Sequence, residues 1–180
     1  MFIKVCGIQS REQIDWAVEL GYSAVGVVVH PASVRYCDHS AALDLARHAR
    51  HKIASVAVGV SFDEVDALCH DYDFVQIYEY KEMDRLILAG TELPAQSDYT
   101  YFLYDAGRGS GEFQTLPDWL FSIRGRLIVS GGLNVCNVAG IIREFRPFGV
   151  DVSSGVEVDR GIKDYMLMKK FIAEVKNEVK

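Results

Sequence analysis

The sequence predicts an α/β protein built on a parallel sheet, because short apolar strands alternate with helical segments along the whole chain. The predicted strands are nearly continuous in apolar residues, as expected for strands buried on both faces. This alternation fits two architectures, an open doubly wound sheet and a closed (β/α)8 barrel, and periodicity alone does not choose between them. In chain order, the predicted strands are Phe2 to Cys6, Ala24 to Val29, Ile53 to Val60, Phe74 to Tyr78, Tyr101 to Tyr104, Leu127 to Val129 and Gly149 to Val152.

Capping signals place helices between these strands. Ser10 to Gln13 and Ser61 to Glu64 fit the capping box, in which the first and fourth side chains bond the free amides of the helix start. Asn134 predicts the start of a helix in the second half, and Pro147 predicts its end. A last amphipathic helix is predicted from about Ile162, with its apolar residues on one stripe.

The segment from Glu79 to Asp98 is too short for a full set of crossover helices. It has about 20 residues, enough for a helix at Tyr80 to Leu88 and a short strand near Leu93, but not for a second helix. We therefore expect Pro94 to Tyr99 to return beside the sheet in an extended form. The missing helix predicts an exposed apolar wall that a partner subunit would cover, so a monomer and a homodimer both stay open.

The composition limits the classes of function. The chain has 180 residues, 49% hydrophobic and 24% charged, which predicts one globular domain over residues 1–180. Its formal net charge of -6 disfavours nucleic-acid coating. No apolar run approaches the roughly 18 residues of a membrane span, and the start lacks a basic leader before an apolar core. We therefore expect a cytoplasmic protein that binds neither nucleic acid nor membrane.

Cysteine and histidine spacing predicts no metal site. The four cysteines include no C-x-x-C pair, which argues against both a zinc knuckle and a disulfide framework. His48 and His51 share a helix face, but no third ligand is evident, so a solvated face is the better interpretation. None of the five histidines is assigned to catalysis.

Ligand-binding residues are expected at the carboxyl ends of the parallel strands. Two late loops are suited to hold a phosphate there, because glycines permit close backbone approach and amides at a helix start attract anions. Turn formation is the alternative for each loop alone. The residues concerned are Gly131, Gly132, Ser154 and Gly155.

Three single residues at strand ends are candidates for chemistry. Asp105, at the start of a glycine-rich stretch, is suited to give or take a proton, with a turn role as the alternative. Arg35 is suited to clamp a carboxylate with its planar guanidinium, and a solvated loop charge is its alternative. Cys6 on its own is more typical of a small buried residue. The run Gly107 to Gly111 lacks the Walker A spacing and lysine, so it predicts a mobile loop that closes over a substrate.

Taken together, the strand ends resemble one family, the phosphoribosylanthranilate isomerases of tryptophan biosynthesis. The resemblance spans nearly the whole chain and implies a (β/α)8 TIM barrel of the phosphate-binding type. It also implies a shortened fifth β/α unit in this chain, with its helix reduced or missing, and no cofactor. The segments that carry it are, in order, Ile3 to Ile8, Arg35-Tyr36, Val75 to Ile77, Tyr104-Asp105 with Gly109 to Gly111, Ser130 to Asn134 and Gly149 to Glu157.

This resemblance implies an activity and residue roles. The family's reaction is an Amadori rearrangement of a small phosphosugar, N-(5-phosphoribosyl)anthranilate, to 1-(2-carboxyphenylamino)-1-deoxyribulose 5-phosphate. By resemblance, Cys6 is the general base at C2′ and Asp105 the general acid at the ribose ring oxygen. Arg35 holds the anthranilate carboxylate, and Asp151 holds a sugar hydroxyl. The implied phosphate and mobile-loop residues are Gly131, Gly132, Ser153, Ser154 and Gly155, with Gly109 and Gly111 in the loop.

The chain departs from the family pattern at three places. Where the family usually reads Gln-Leu-His-Gly, this chain has Gln76 to Glu79, so Tyr78 replaces a histidine near the substrate. The segment Tyr80 to Tyr99 is shorter than the family's, and Phe113 lies farther from Trp119 than in the family's Phe-Asp-Trp. These differences keep two alternatives open: a non-catalytic barrel that binds a phosphate ligand, and an isomerase of another phosphosugar.

Overall fold

The structure, a computed structural model, describes residues 1–107 and 115–179. Eight parallel strands close into a barrel in chain order, which confirms the barrel and excludes the open sheet. The strands are β1 Phe2–Cys6, β2 Ala24–Val28, β3 Ala54–Val58, β4 Phe74–Ile77, β5 Leu86–Gly90, β6 Tyr101–Asp105, β7 Leu127–Ser130 and β8 Gly149–Val152.

Helices cover the barrel unevenly. In the described part of the chain, no helix is long and apolar enough to cross a membrane. The α-helices are α1 Arg11–Leu20, α2 His39–Ala49, α3 Phe62–Val65, α4 Val138–Phe145 and α5 Tyr165–Glu178. Shorter elements are the 3-10 segments Asp66–Leu68, Asp118–Arg126 and Ser154–Val156, and an antiparallel hairpin of β9 Glu157–Asp159 with β10 Ile162–Lys163.

Local hydrogen bonds explain where the first and last helices begin. At α1, the Ser10 hydroxyl accepts from the amide of Gln13 at 3.3 Å, as the capping box predicts. The last helix begins at Tyr165 rather than near Ile162, because Ile162 pairs in the β9–β10 hairpin and Asp164 caps the helix. The predicted start near Ile162 was therefore too early.

One other helix start differs from the sequence prediction, and one forms as predicted but with different hydrogen bonds. α4 begins four residues after Asn134, because the Asn134 side chain first accepts from the amide of Cys136 at 2.8 Å and forms a turn. At α3, the Ser61 side chain makes no capping hydrogen bond. Instead, the Glu64 carboxylate accepts from the amide of Val60 at 2.7 Å. The helix nevertheless begins directly after Ser61, as predicted.

The region between β4 and β6 differs most from the prediction. The fifth strand is Leu86–Gly90, so the predicted helix at Tyr80 to Leu88 is wrong, as is the predicted strand near Leu93. Residues 78–85 and 91–100 contain neither helix nor strand, so both crossovers that flank β5 lack a helix. The cause of the error is physical: a short apolar run buried on both faces has no periodicity that separates strand from helix.

The barrel wall at β5 is nevertheless covered. Leu86 and Leu88 are buried and share an apolar cluster with Tyr99, which belongs to the segment before β6. The Arg126 guanidinium lies 4.5 Å from the centre of the Tyr99 ring and donates to the carbonyl oxygens of Ser97 and Tyr99. The expected exposed wall is therefore wrong, because loop residues cover the surface that a helix would cover.

Aromatic rings close the amino-terminal end of the barrel. Phe2 and Tyr101 begin their strands, and Phe148 directly precedes β8. The Tyr101 and Phe148 rings stack with centroids 4.4 Å apart, and Phe2 stacks on both. These rings occupy the amino-terminal end, so a ligand is expected at the carboxyl-terminal end, where TIM barrels carry their sites.

Candidate active site

A cavity of about 710 Å³ opens at the carboxyl-terminal ends of the strands. It has the size and position expected of a small-molecule site. Gly155 lies outside the lining, and Gly109 and Gly111 lie outside the residues that the structure describes. The other predicted site residues line the cavity: Cys6, Arg35, Tyr78, Asp105, Gly131, Gly132, Asp151, Ser153 and Ser154.

Cys6 is the last residue of β1 and shares the interior face of that strand with Lys4, because alternate residues of a strand point to one side. Gly26 of β2 makes room for both. A Cβ atom added at Gly26 would lie 2.9 Å from Cys6 Sγ and 3.2 Å from Lys4 Nζ. Burial raises the pKa of the Cys6 thiol, and the positive charge of Lys4 opposes that rise. The thiol thus lies close to a buried cation.

Lys4 is completely buried and pairs with Asp151. Its Nζ donates to Asp151 Oδ1 at 2.9 Å, and the hydroxyl of Ser130 donates to Asp151 Oδ2 at 3.1 Å. The closure of the barrel sets Lys4 directly opposite Asp151 in the register of β1 and β8. Burial lowers the pKa of Lys4, but Asp151 and Cys6 together raise it above its ordinary value. The ammonium group therefore remains charged at neutral pH.

Asp105 ends β6 and is held by Tyr78, which directly follows β4. The Tyr78 hydroxyl donates to Asp105 Oδ2 at 2.6 Å. Burial raises the pKa of Tyr78, and the negative charge of Asp105 raises it further, so the phenol stays protonated and remains the donor. A carboxyl group held in this way is positioned for proton transfer in the cavity.

Glu157 orients the guanidinium of Arg35. Both Glu157 oxygens accept from Arg35, each at 2.7 Å, and Glu157 also accepts from Lys163 Nζ at 2.5 Å and from the Gly161 amide at 3.1 Å. Burial raises the pKa of Glu157, but the hydrogen bonds from Arg35 and the charge of Lys163 lower it to about 2. Only the guanidinium donors that Glu157 leaves are available to a ligand.

The loops after β7 and β8 approach each other closely. Gly131 and Gly132 have φ angles of 83° and 71°, a conformation that favours glycine. A Cβ atom at Gly131 would lie 2.7 Å from the amide nitrogen of Ala106. A Cβ atom at Gly155 would lie 2.0 Å from the carbonyl oxygen of Leu133, so Gly155 lets the two loops meet without lining the cavity itself.

Ser153 joins the loop after β8 to the first strand. Its hydroxyl donates to the carbonyl oxygen of Cys6 at 3.0 Å and accepts from Lys163 Nζ at 3.2 Å. Lys163 also donates to the Ser153 carbonyl oxygen at 3.0 Å. Ser154 lines the cavity next to it. The loop after β8 is therefore held by β1 on one side and by the β9–β10 hairpin on the other.

The chain matches known proteins along nearly its whole length. It is 32% identical to the N-(5′-phosphoribosyl)anthranilate isomerase of Ralstonia nicotianae, over 97% of this chain and 92% of that protein. It is 34% identical to the isomerase of Halorhodospira halophila, over 96% and 95%. The chain belongs to the N-(5′-phosphoribosyl)anthranilate isomerase family. The family model described as N-(5′-phosphoribosyl)anthranilate (PRA) isomerase matches residues 92–174.

Solved structures of this isomerase family share the barrel. The phosphoribosyl anthranilate isomerase of Thermus thermophilus has a TM-score of 0.82 at 26% identity, over 98% of this chain and 99% of that one. A family structure in complex with reduced 1-(o-carboxyphenylamino)-1-deoxyribulose 5-phosphate has a TM-score of 0.79 at 30% identity, with 98% and 99% covered. Monomers generated from the dimeric isomerase of Thermotoga maritima also match, with a TM-score of 0.74 at 29% identity over 98% of each chain. Monomers and dimers therefore both occur among the structural neighbours.

Sequence reasoning did not assign three charged residues of this isomerase site. Lys4 carries a visible signal, because it is a charge inside an otherwise apolar strand. Glu157 and Lys163 have no such signal, since their contact depends on how the β9–β10 hairpin folds. The folded hairpin brings Glu157 against Arg35 and Lys163 against Glu157, and these contacts orient the Arg35 guanidinium.

Gln76 of β4 is a further residue that sequence reasoning did not assign to the site. It is buried and lines the cavity, and its Oε1 has no hydrogen-bond partner within residues 1–107 and 115–179. Buried polar atoms are normally paired. The Gln76 oxygen is therefore available to a donor group of a bound ligand.

Proposed function

We propose that this chain converts N-(5-phosphoribosyl)anthranilate to 1-(2-carboxyphenylamino)-1-deoxyribulose 5-phosphate in tryptophan biosynthesis, with Cys6 as the general base and Asp105 as the general acid. The observation that carries the proposal is the placement of both side chains in one cavity. Cys6 ends β1 and Asp105 ends β6, so they approach a ligand from different sides of the barrel. An Amadori rearrangement needs an acid and a base at different atoms of one sugar.

The reaction balances with these two groups alone. Asp105 gives its proton to the ribose ring oxygen, the bond from that oxygen to C1′ breaks, and the anthranilate nitrogen forms a protonated imine with C1′. The Cys6 thiolate then takes the proton from C2′, and the electron pair forms the C1′–C2′ double bond as the imine is neutralised. The resulting enol becomes the aminoketone product by gaining a proton at C1′ and losing the proton of its hydroxyl group. Asp105 regains one proton from water and Cys6 releases one to water, so both groups return to their starting states and the net change is an isomerisation.

The binding groups surround this pair. Arg35 binds the anthranilate carboxylate with the guanidinium donors that Glu157 leaves, and Asp151 binds a sugar hydroxyl with its paired carboxylate. Tyr78 fixes the Asp105 carboxyl group. The phosphate lies against backbone amides of the two late loops, at Gly131, Gly132, Ser153 and Ser154, while Gly155 lets these loops meet.

The anthranilate fluorescence of freshly made N-(5-phosphoribosyl)anthranilate reports its turnover and tests the proposal. We expect wild-type protein to convert the substrate, and the Cys6→Ser variant to be nearly inactive while folded. Near-wild-type turnover by Cys6→Ser would remove the base from the mechanism. A folded wild-type protein without turnover would point to a non-catalytic phosphate-binding barrel or to another phosphosugar, which a panel of phosphosugars would separate.

The setting of the enzyme also belongs to this proposal. We place it in the cytoplasm, because it is acidic and its four cysteines are unpaired. Residues 1–180 act as one domain without nucleic-acid or membrane partners. A light-scattering mass decides between a monomer and a homodimer.

A further inference from the structure

We propose that Lys4 is a positioning residue for the base of this reaction, with its buried ammonium group stabilising the thiolate of Cys6 and with Asp151 limiting that effect. The inference rests on the proposed function, because it concerns the same base. Lys4 acts through Cys6.

The geometry brings the two groups together. Lys4 and Cys6 share the interior face of β1, and both side chains fill the space that Gly26 leaves. Cys6 Sγ lies 2.9 Å and Lys4 Nζ 3.2 Å from the Gly26 Cβ position, so these two atoms are at most about 6 Å apart. At such a distance, a positive charge favours the negatively charged form of its neighbour. Because Lys4 is fully buried and Cys6 is only 7% exposed, the interaction is weakly screened.

The burial of Lys4 calls for an explanation beyond stability. A buried ion pair is often no more stabilising than well-packed apolar residues of the same volume. The Lys4 side chain is 0% exposed and that of Asp151 is 5% exposed, so both groups have lost their water. Apolar residues in place of both Lys4 and Asp151 would fill the barrel at less cost. The Lys4 ammonium lies beside Cys6, where its charge can stabilise the thiolate.

Other charged groups act on the thiol from neighbouring elements. Asp151 of β8 opposes Lys4 because its negative charge disfavours the thiolate. Lys163 favours the thiolate from the β9–β10 hairpin, and Arg35 approaches from the loop after β2. Both of those cations bond Glu157, which offsets their charge. Across the cavity, the Tyr78 phenol stays protonated and adds no charge.

The inference predicts shifts of opposite sign from two variants. Lys4→Met removes the cation, so the pKa of the Cys6 thiol rises. Asp151→Asn removes the anion while Lys4 stays charged, so the pKa of the Cys6 thiol falls. A purely structural role of the pair would not give opposite signs, because both variants remove the same ion pair.

Alkylation by iodoacetamide measures the thiolate without turnover. The rate of modification is followed against pH in the full chain, and mass spectrometry quantifies the peptide that contains Cys6. Exposed Cys136 is an internal control whose pH dependence should be the same in every variant. We expect the Cys6 midpoint to rise by about one pH unit in Lys4→Met, a tenfold loss of thiolate at a given pH below the midpoint. Asp151→Asn should lower the midpoint.

The pH profile of kcat/KM supplies the second measurement. Its low-pH limb reports the free base and should move in the same direction as the alkylation midpoint in each variant. Lys4→Arg keeps the charge and should keep a midpoint close to wild type. An unchanged midpoint in Lys4→Met, or a shift of the same sign in both variants, would overturn the inference. If Lys4→Met fails to fold, a midpoint in Asp151→Asn that is unchanged or raised overturns it, and a lowered midpoint supports it.

The two proposals can fail separately. The alkylation midpoint exists whether or not the protein turns over N-(5-phosphoribosyl)anthranilate. Absence of turnover with the expected opposite shifts would reject the proposed function and keep the contact between Lys4 and Cys6. Normal turnover with no shifts would keep the isomerase and reject the role of Lys4.

Discussion

On the β1–β8 side of the cavity, buried charges surround Cys6, whereas on the β4–β6 side a neutral phenol holds Asp105. The β1–β8 side, which we call the base side, contains two ion-paired clusters: Lys4 with Asp151, and Glu157 with Arg35 and Lys163. The β4–β6 side, which we call the acid side, has the short hydrogen bond from Tyr78 to Asp105 and lies next to the crossovers that lack helices.

The difference follows from what each group must do. A thiol buried in a barrel resists ionisation, so a base of this kind needs positive charge nearby. A carboxyl group that donates a proton needs orientation more than a nearby positive charge, and a protonated phenol orients it without adding a charge. The two sides therefore respond differently to the loss of a single group.

Removing either proton-transfer group should have the largest effect. Cys6→Ser and Asp105→Asn each remove a group that acts in the transition state, so we expect kcat to fall by about 10²–10⁴-fold with little change in KM. Single-turnover fluorescence measures this, and circular dichroism checks the fold. A variant of either residue that keeps wild-type kcat would remove that residue from the mechanism.

Neutralising Glu157 should destabilise the fold, because it removes the ion pairs of Glu157 with Arg35 and Lys163. The pKa of Glu157 is about 2 in the fold and 4.5 ordinarily, so its ion pairs stabilise the fold above pH 4.5 and are lost as the pH falls toward 2. For a side chain that is 3% exposed, this corresponds to about 3 kcal/mol. Glu157→Gln should lower the free energy of unfolding by about that amount at pH 7, measured with urea.

The control for this variant is Glu178→Gln, whose partner Arg143 lies at the surface with 64% of its side chain exposed. Its effect should stay below about 1 kcal/mol. The difference between wild type and Glu157→Gln should shrink between pH 4.5 and 2. A difference that stays constant over this range would contradict the lowered pKa of Glu157.

Truncating Arg35 should weaken substrate binding and leave the chemical step nearly unchanged. Arg35→Ala loses the guanidinium donors for the substrate carboxylate, so KM should rise by about 10- to 100-fold while kcat changes little. Arg160 lines the same cavity but has no role in the mechanism, which makes Arg160→Ala the matched control. Steady-state kinetics distinguishes the two. An effect of Arg35→Ala confined to kcat would reject the carboxylate-binding role.

The smallest effect is expected on the acid side. Tyr78→Phe deletes the donor to Asp105 but keeps the ring, so kcat should fall by up to about tenfold, because one hydrogen bond that orients the carboxyl group is lost. Tyr36→Phe changes an exposed phenol outside the cavity lining and should leave kcat unchanged. Equal kcat values for Tyr78→Phe and wild type would show that Asp105 does not depend on this contact.

Sequence reasoning located most strands because buried parallel strands are apolar and end at turn residues. β1 was predicted at its exact bounds, and β8 likewise. The prediction failed at Leu86–Gly90, where a short apolar run fits a helix as well as a strand. It also failed to predict the cover of that strand, because packing by Tyr99 and Arg126 depends on contacts between distant segments.

The sequence by itself determined the alternation of strands and helices and the position of the site at the strand ends, because these depend on local pattern and on order along the chain. Its resemblance to a known family indicated the barrel, the acid and the base. Only the tertiary structure decided how those groups are charged and oriented. Lys4 meets Asp151 across 147 positions of sequence, and Arg35 meets Glu157 across 122. Such pairs form when the last strand closes the barrel against the first, and no local pattern carries the register of that closure.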